Sequence, residues 1–424
     1  MTTVSQADLP ELPVETAEFS KNPDPYAAAA RRVHPWLARF SQGLVVHGYQ
    51  ATKDLLADDE HFHPGFGPAV EFYGLKDHMW GRFMEEMLLS VSGETHKRLR
   101  NSVAAAFTPR RANQVRPLMR KVISELLDEW APKGAFDFAE FSAHFPVAVV
   151  LGLLGVSAEV IPKIHLGLEN QLSSLTFDPV VKPLFLAGWD VLWEFSDQLV
   201  IAREASGAHD PDSLLDSLIE TKKQGLLDET ELRFMLLVLV VAGYDTSKNM
   251  LALTLRQLIA RPDAYARCAE DLAYCGKVLD EALRHSSITT PYRTVSCAFE
   301  YGGFHFEKGT VVIFATALAG RDPAAYDEPL VFDPERKPDN RHVAFGRGAH
   351  ICLGQFIARA QLEEGLHLIT QRLKNPRLTA EPSWRPFLGT WGYKTLPIAF
   401  DPAPHDASEI KLASWREVKL RKTL

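Results

Sequence analysis

Phe345-Gly346-Arg347-Gly348-Ala349-His350-Ile351-Cys352-Leu353-Gly354, or FGRGAHICLG, sets a single thiol among three glycines. Glycines let a backbone turn sharply and come close to a flat ligand. A helix is expected from Gln355 to about Leu373. Cys352 therefore stands just before a helix N-terminus, where the dipole and free N–H groups stabilise a thiolate. With no other cysteine nearby, a metal-bound thiolate fits heme iron better than zinc. Spacing alone also permits a glycine-rich turn that holds an incidental buried cysteine.

The remaining cysteines, Cys268, Cys275 and Cys297, form no C-x-x-C pair and read as ordinary packing residues. Four cysteines in 424 residues are no disulfide scaffold. The first 20 residues, MTTVSQADLPELPVETAEFS, carry acids and prolines and no apolar core run. The expectation is reduced thiols, no membrane anchor and a cytoplasmic protein. The apolar run Met235 to Gly243 is about half of the roughly 18 to 20 residues a bilayer span needs, so it reads as part of a buried helix. A net charge of −8 gives the whole chain no electrostatic footprint for nucleic acid.

Apolar spacing predicts helices over 95–107, 113–131, 163–204, 212–224, 229–260, 263–273 and 275–285. An alanine-rich helix interrupted near Pro35 is expected between Pro23 and Phe40, then a strand at Leu44–Gly48. Strand-like pieces follow at 293–301, 304–306 and 310–315, with Gly302-Gly303 as a hairpin turn, and again near 388–400. Residues 62–92 and 320–348 read as long irregular segments. The reading is mostly α with a minor β part. The expected division is an N-terminal extension (1–23), one large helical domain with a small β-rich region (24–402), and a tail of unknown role (403–424).

The cysteine stretch resembles the heme-ligand signature of the cytochrome P450 family, F-G-x-G-x-H-x-C-x-G, at every fixed position. Further resemblances follow in the family's order between about Asp24 and Phe400. Val241-Ala242-Gly243-Tyr244-Asp245-Thr246 resembles A-G-x-[DE]-T. Polar groups inside an apolar helix are costly unless bonded, for example by a threonine hydroxyl on the carbonyl four residues back. Glu281 and Arg284 form E-x-x-R, two residues that share a helix face. Arg336, in FDPER, resembles the family's meander arginine, and His96 and Arg100 resemble the bacterial H-x-x-x-R segment. Before His96 stand Ser92-Gly93-Glu94 in place of the frequent D-P-P.

The resemblance implies a cytochrome P450 fold of the soluble bacterial type, with heme b ligated by Cys352. His96, Arg100, Arg293 and His350 are implied to hold its propionates, with Ala242, Phe345, Gly346 and Gly354 beside the ring. Asp245 and Thr246 are implied to serve oxygen activation, and Glu281, Arg284 and Arg336 to form a structural triad. The implied reaction places one oxygen atom of O2 in an apolar small molecule such as a terpenoid, steroid-like or alkyl-aromatic compound. Electrons are implied to come from NAD(P)H through a separate ferredoxin-type donor and its reductase. A peroxide-driven peroxygenase and a non-catalytic heme protein are the alternatives.

Pocket segments are expected at 62–91, 165–190, 238–246, 286–292 and 391–395, including Phe72, Met84, Val238, Val241, Ala242, Ile288, Thr289 and Tyr393. No cationic cluster there suggests a carboxylate clamp, although Lys394 could supply one. Lys97, Arg98, Arg110, Arg111 and Arg347 are read as a basic patch for an acidic donor.

Overall fold

The computed structural model describes residues 2–207, 209–337 and 340–402; the expected tail at 403–424 lies outside the described residues. Its axis is the 31-residue helix Glu229–Ile259. A capping box opens it: Asp228 accepts from the Glu231 N–H at 2.7 Å and Glu231 accepts from the Asp228 N–H at 3.0 Å. The helix is apolar on most sides, and that is what a core helix requires. By length and composition it is the one helix among the described residues able to cross a membrane, yet it lies buried inside the fold.

Helix Phe138–Leu153 packs along the axis, and small residues bring neighbouring helices close. A Cβ at Gly243 would lie 2.7 Å from Val150, and one at Gly365 would lie 2.6 Å from the Phe145 ring. Gly243 therefore serves close helix packing. Helices Leu272–His285 and Gln355–Arg372 complete this core, which runs on to the three-stranded sheet Leu373–Leu378, Pro397–Pro402 and Ala135–Asp137. A second core joins the axis to helices Ile161–Gln171 and Lys182–Ser206.

The β-rich region is a five-stranded sheet in the order Leu37–Phe40, Gly43–Val46, Val311–Phe314, Tyr292–Val295, Phe62–Pro64. Tyr292 pairs with Ile313 and Phe62 with Val295. The expected hairpin is present, with Gly302 and Gly303 at φ +59° and +86°. The N-terminal segment is packed on this region: Val4, Leu9, Leu12, Val14 and Phe19 are all buried.

Several sequence readings need correction. Residues 62–92 hold a strand and two helices, Gly67–Tyr73 and Met79–Glu86. Their Gly and Pro are end signals here: Pro68 sits in the first turn and Gly74 is the left-handed C-cap. The expected helix 163–204 is two antiparallel helices joined by short turns over Leu172–Thr176 and Pro179–Val181. Asp178 caps the second turn at 2.9 Å, and Pro183 opens the next helix. The chain after Pro35 is a strand, Leu37–Phe40, not a continued helix. The 293–301 run is two strands, Tyr292–Val295 and Phe299–Tyr301, which belong to different sheets; the Ser296 N–H on the His61 carbonyl at 2.8 Å extends the first strand's pairing by one residue.

Candidate heme-thiolate site

The cysteine loop is closed by the Cys352 N–H on the Phe345 carbonyl at 2.8 Å. Gly346 and Gly348 sit at φ +71° and +70°, where an L side chain is strained. A Cβ at Gly348 would also stand 2.9 Å from Asp59 Oδ2 and 3.1 Å from the Leu56 carbonyl. Asp59 itself accepts the Ala349 N–H at 2.8 Å and so fixes the loop from outside. Burial pushes the Cys352 thiol up, while the Gly354 N–H, the Arg100 guanidinium and the Gln355 N–H pull it down. A bound cation would complete the shift to thiolate.

Beside the loop, four basic groups converge. Arg100 donates to the Ile351 carbonyl at 2.8 Å. The His96 and His350 rings lie 4.1 Å apart, and His96 Nε2 is sealed from solvent with no partner. Burial, then Arg293, His96, Arg100 and His63, push His350 down to about 3. Burial pushes Arg293 down to about 10, with Asp59 opposing. Gathering these groups costs free energy unless an anion joins them. A flat ligand with carboxylates at one edge and a metal at its centre meets both needs, so these residues fit heme.

On the facing helix Ala242 is exposed between buried turns, and Val241, Gly243 and Thr246 are half-buried, leaving room for a flat group. The Thr246 hydroxyl donates to the Ala242 carbonyl at 2.8 Å. Asp245 is 1% exposed, and neither carboxylate oxygen has a hydrogen-bond partner. Arg385 Nη1 lies 3.1 Å from Asp245 Oδ1, but off the line of a hydrogen bond, and Lys248 Nζ lies at 3.7 Å. A buried carboxylate with open acceptor positions is equipped to take up and pass on protons.

Glu281 and Arg284 form a bidentate pair at 2.7 and 2.8 Å, and Arg336 reaches Glu281 at 3.4 Å. Arg284 also donates to the Gly320, Pro329 and Val331 carbonyls, which ties the helix to the segment leading to the cysteine loop.

The pocket candidates divide. Met84 and Val238 are buried in the core beside the axis helix, and Val241 packs against the same core at half burial. Ile288 is buried and accepts the Trp391 N–H at 2.7 Å; Thr289 is half-buried and pairs with Thr390. Phe72 is 43% exposed and meets Phe177 edge-to-face at 5.5 Å, so it belongs to the rim. Tyr393 is buried against Trp384, and Lys394 is exposed. The segment 391–395 is therefore core: Trp391 is pinned to the Ser20 carbonyl and Gly392 is pressed against Asn249. The preceding turn reaches solvent instead. Arg385, Pro386, Leu388 and Thr390 line a cavity of about 270 Å³ together with residues of the turns between the two antiparallel helices.

The basic patch is largely neutralised: Lys97 pairs with Glu94, Arg98 with Glu231 and Arg111 with Asp212. Sequence reasoning missed Asp59, His63, Glu169, Lys248 and Arg385. Most of them reach their partners from far along the chain, and no short motif marks them.

Fold and site together define a helical protein whose loop thiol and adjacent basic groups fit a planar metal group with carboxylates at one edge. The Cytochrome P450 family profile matches residues 177–382. Luteothin monooxygenase of Streptomyces thioluteus is 33% identical over 407 residues, covering 95% of this chain and 98% of that protein. 6-Deoxyerythronolide B hydroxylase of Saccharopolyspora erythraea is 30% identical over 377 residues, covering 84% and 90%. Epothilone B-bound cytochrome P450epoK superposes with a TM-score of 0.83 at 22% identity, covering 92% of this chain and 99% of that one. The chain belongs to the cytochrome P450 family and is a heme-iron monooxygenase.

Proposed function

We propose that this chain binds heme b through Cys352 and inserts one oxygen atom from O2 into an apolar small molecule. The bound heme supplies the reduction of O2 and the oxidising equivalent. The observation that carries the reading is the basic group His96, Arg100, Arg293 and His350, buried or half-buried and gathered beside a glycine-built thiol loop. These four hold the heme carboxylates by charge-assisted bonds. Cys352, steadied by the Gly354 and Gln355 N–H groups, is the metal ligand. Ala242, Phe345, Gly346 and Gly354 leave room for the ring, and Glu281, Arg284 and Arg336 brace the loop.

Asp245 passes protons toward Thr246, whose hydroxyl is held 2.8 Å from the Ala242 carbonyl. Val241, Ala242 and Thr289, which are not sealed in the core, form the inner surface, with Phe72 at its mouth; Met84, Val238 and Ile288 belong to the core. Relatives named for luteothin and 6-deoxyerythronolide B, and a structure holding epothilone B, support an apolar organic substrate. The electron donor is a ferredoxin-type protein with its NAD(P)H reductase, working in the cytoplasm. Its docking rests on Arg110 and Arg347, because the other three cations are paired.

The test is turnover with a surrogate ferredoxin and reductase across a panel of apolar compounds. The reading expects product in proportion to NAD(P)H consumed, and loss of that proportion in Thr246→Ala. Product formed only from added peroxide, with no dependence on reductase, would contradict it.

A further inference from the structure

Asp245 belongs to a cluster of two carboxylates and two cations. Glu169, near the end of helix Ile161–Gln171, contacts the same two cations as Asp245: it is ion-paired with Lys248, and Arg385 Nη1 lies 3.4 Å away. Burial would push Glu169 up, but Lys248 and Arg385 outweigh it and hold the carboxyl down to about 2, so Glu169 is charged at any working pH. It also accepts the Tyr244 hydroxyl, which faces His165 at 3.4 Å. The charges balance, two negative against two positive.

The four groups come from three separate pieces of chain. Asp245 and Lys248 sit on the rigid axis, three residues apart. Arg385 comes from the turn that lines the 270 Å³ cavity. Glu169 belongs to the outer helix pair, which packs on the axis through the second core and is tied further at its connecting turns and the start of its second helix: the Tyr73 hydroxyl on the Asp178 carbonyl at 3.3 Å, Lys182 on the Tyr73 carbonyl at 2.6 Å and the Tyr292 hydroxyl on the Leu175 carbonyl at 3.3 Å. Glu169 is thus the one member of the cluster carried by that outer pair.

We propose that Glu169 is a positioning residue for Asp245, which it keeps free by competing for Arg385 and Lys248. Both cations are shared between the two carboxylates, and neither Asp245 oxygen has a hydrogen-bond partner. Without the Glu169 charge, two cations face one buried carboxylate and clamp it, since ion pairing strengthens away from water. This inference rests on the role of Asp245 proposed above.

The experiment compares Asp245→Asn, Glu169→Gln and the double variant Glu169→Gln/Lys248→Met in the heme-loaded enzyme. Readouts are turnover, KM, the solvent isotope effect in D2O, and hydrogen exchange of peptide 161–171. Glu169→Gln is expected to lower turnover about tenfold, equivalent to about 1.4 kcal/mol in the barrier. The solvent isotope effect should rise while KM and exchange of 161–171 stay the same. Removing the surplus cation in the double variant should restore turnover. If Asp245→Asn raises the solvent isotope effect but Glu169→Gln does not, the inference is overturned and the reading of Asp245 stands. It is equally overturned if Glu169→Gln only speeds exchange of 161–171 with no rescue by Lys248→Met. If Asp245→Asn leaves the isotope effect unchanged, the reading of Asp245 fails and this inference with it.

Discussion

Replacing Glu281 with glutamine keeps the side chain's shape and removes its charge. Glu281 is 4% exposed and Arg284 3%, so the pair is beyond the reach of water. One Glu281 oxygen accepts from Arg284, from Arg336 and from the Asp333 N–H at 2.9 Å, and the other accepts from Arg284 alone. A glutamine turns one of these acceptors into an NH2 group that faces guanidinium donors. Arg284 cannot swing out to solvent, because three backbone carbonyls at 2.6 to 3.0 Å hold it. The variant therefore leaves a buried unpaired cation, at a cost of about 3–5 kcal/mol. Unfolding entropy near 2.1 cal/mol/K per residue over 424 residues converts this to a fall in melting temperature of about 3–6 °C. Arg336→Gln loses the 3.4 Å contact with Glu281 and the bonds to the Asp327, Glu328 and Val331 carbonyls, but from a side chain 14% exposed, and should cost about 2 kcal/mol. The assay is thermal unfolding by circular dichroism, with heme content measured in parallel. A shift of Glu281→Gln below about 1 °C would refute the reasoning, because it would mean that Arg284 is solvated or paired elsewhere.

Gly348→Ala places a methyl 2.9 Å from Asp59 Oδ2 at a φ of +70°, and should cost about 1–3 kcal/mol; unchanged stability and heme retention would contradict the loop geometry. His47, His144, His285 and His342 are pushed down, chiefly by burial, to about 3, 4, 2 and 4. They are neutral when folded and take up protons near pH 6.5 once unfolded, so stability is full above that pH and falls as the pH drops toward the folded values. At pH 5 each should cost about 2 kcal/mol, read from urea unfolding at pH 7 and pH 5; equal stability at the two values would contradict their burial as neutral rings. Arg100→Leu should weaken heme retention without unfolding the chain, because its described bond is a single one to the Ile351 carbonyl at 2.8 Å; heme titration of the apoprotein checks this.

The sequence carried the helical axis, the cysteine loop and the Glu281–Arg284 pair because each is local. A 3.6-residue period, a glycine-spaced loop and an i,i+3 pair are all visible without the fold. The helices between 62 and 92 were hidden because Pro68 and Gly74 act as end signals there, whereas in isolation they look like breakers. The break in 163–204 hung on Asp178-Pro179 and Pro183, inside a segment whose apolar period continues on both sides. Lys97, Arg98 and Arg111 looked like free cations because their carboxylate partners, except Glu94, lie about a hundred residues away. The environment of Asp245 was out of reach for the same reason: Arg385 and Glu169 meet it only through the tertiary fold.

The central claim is that Cys352 holds heme iron as a thiolate. Its most direct measurement is the absorption spectrum of the purified protein, reduced with dithionite under carbon monoxide, beside that of Cys352→Ser. The account expects a strongly red-shifted Soret band in the natural sequence and its loss in the variant. A Soret band at the position typical of histidine or thiol ligation in both proteins, or no heme uptake by either, would contradict it.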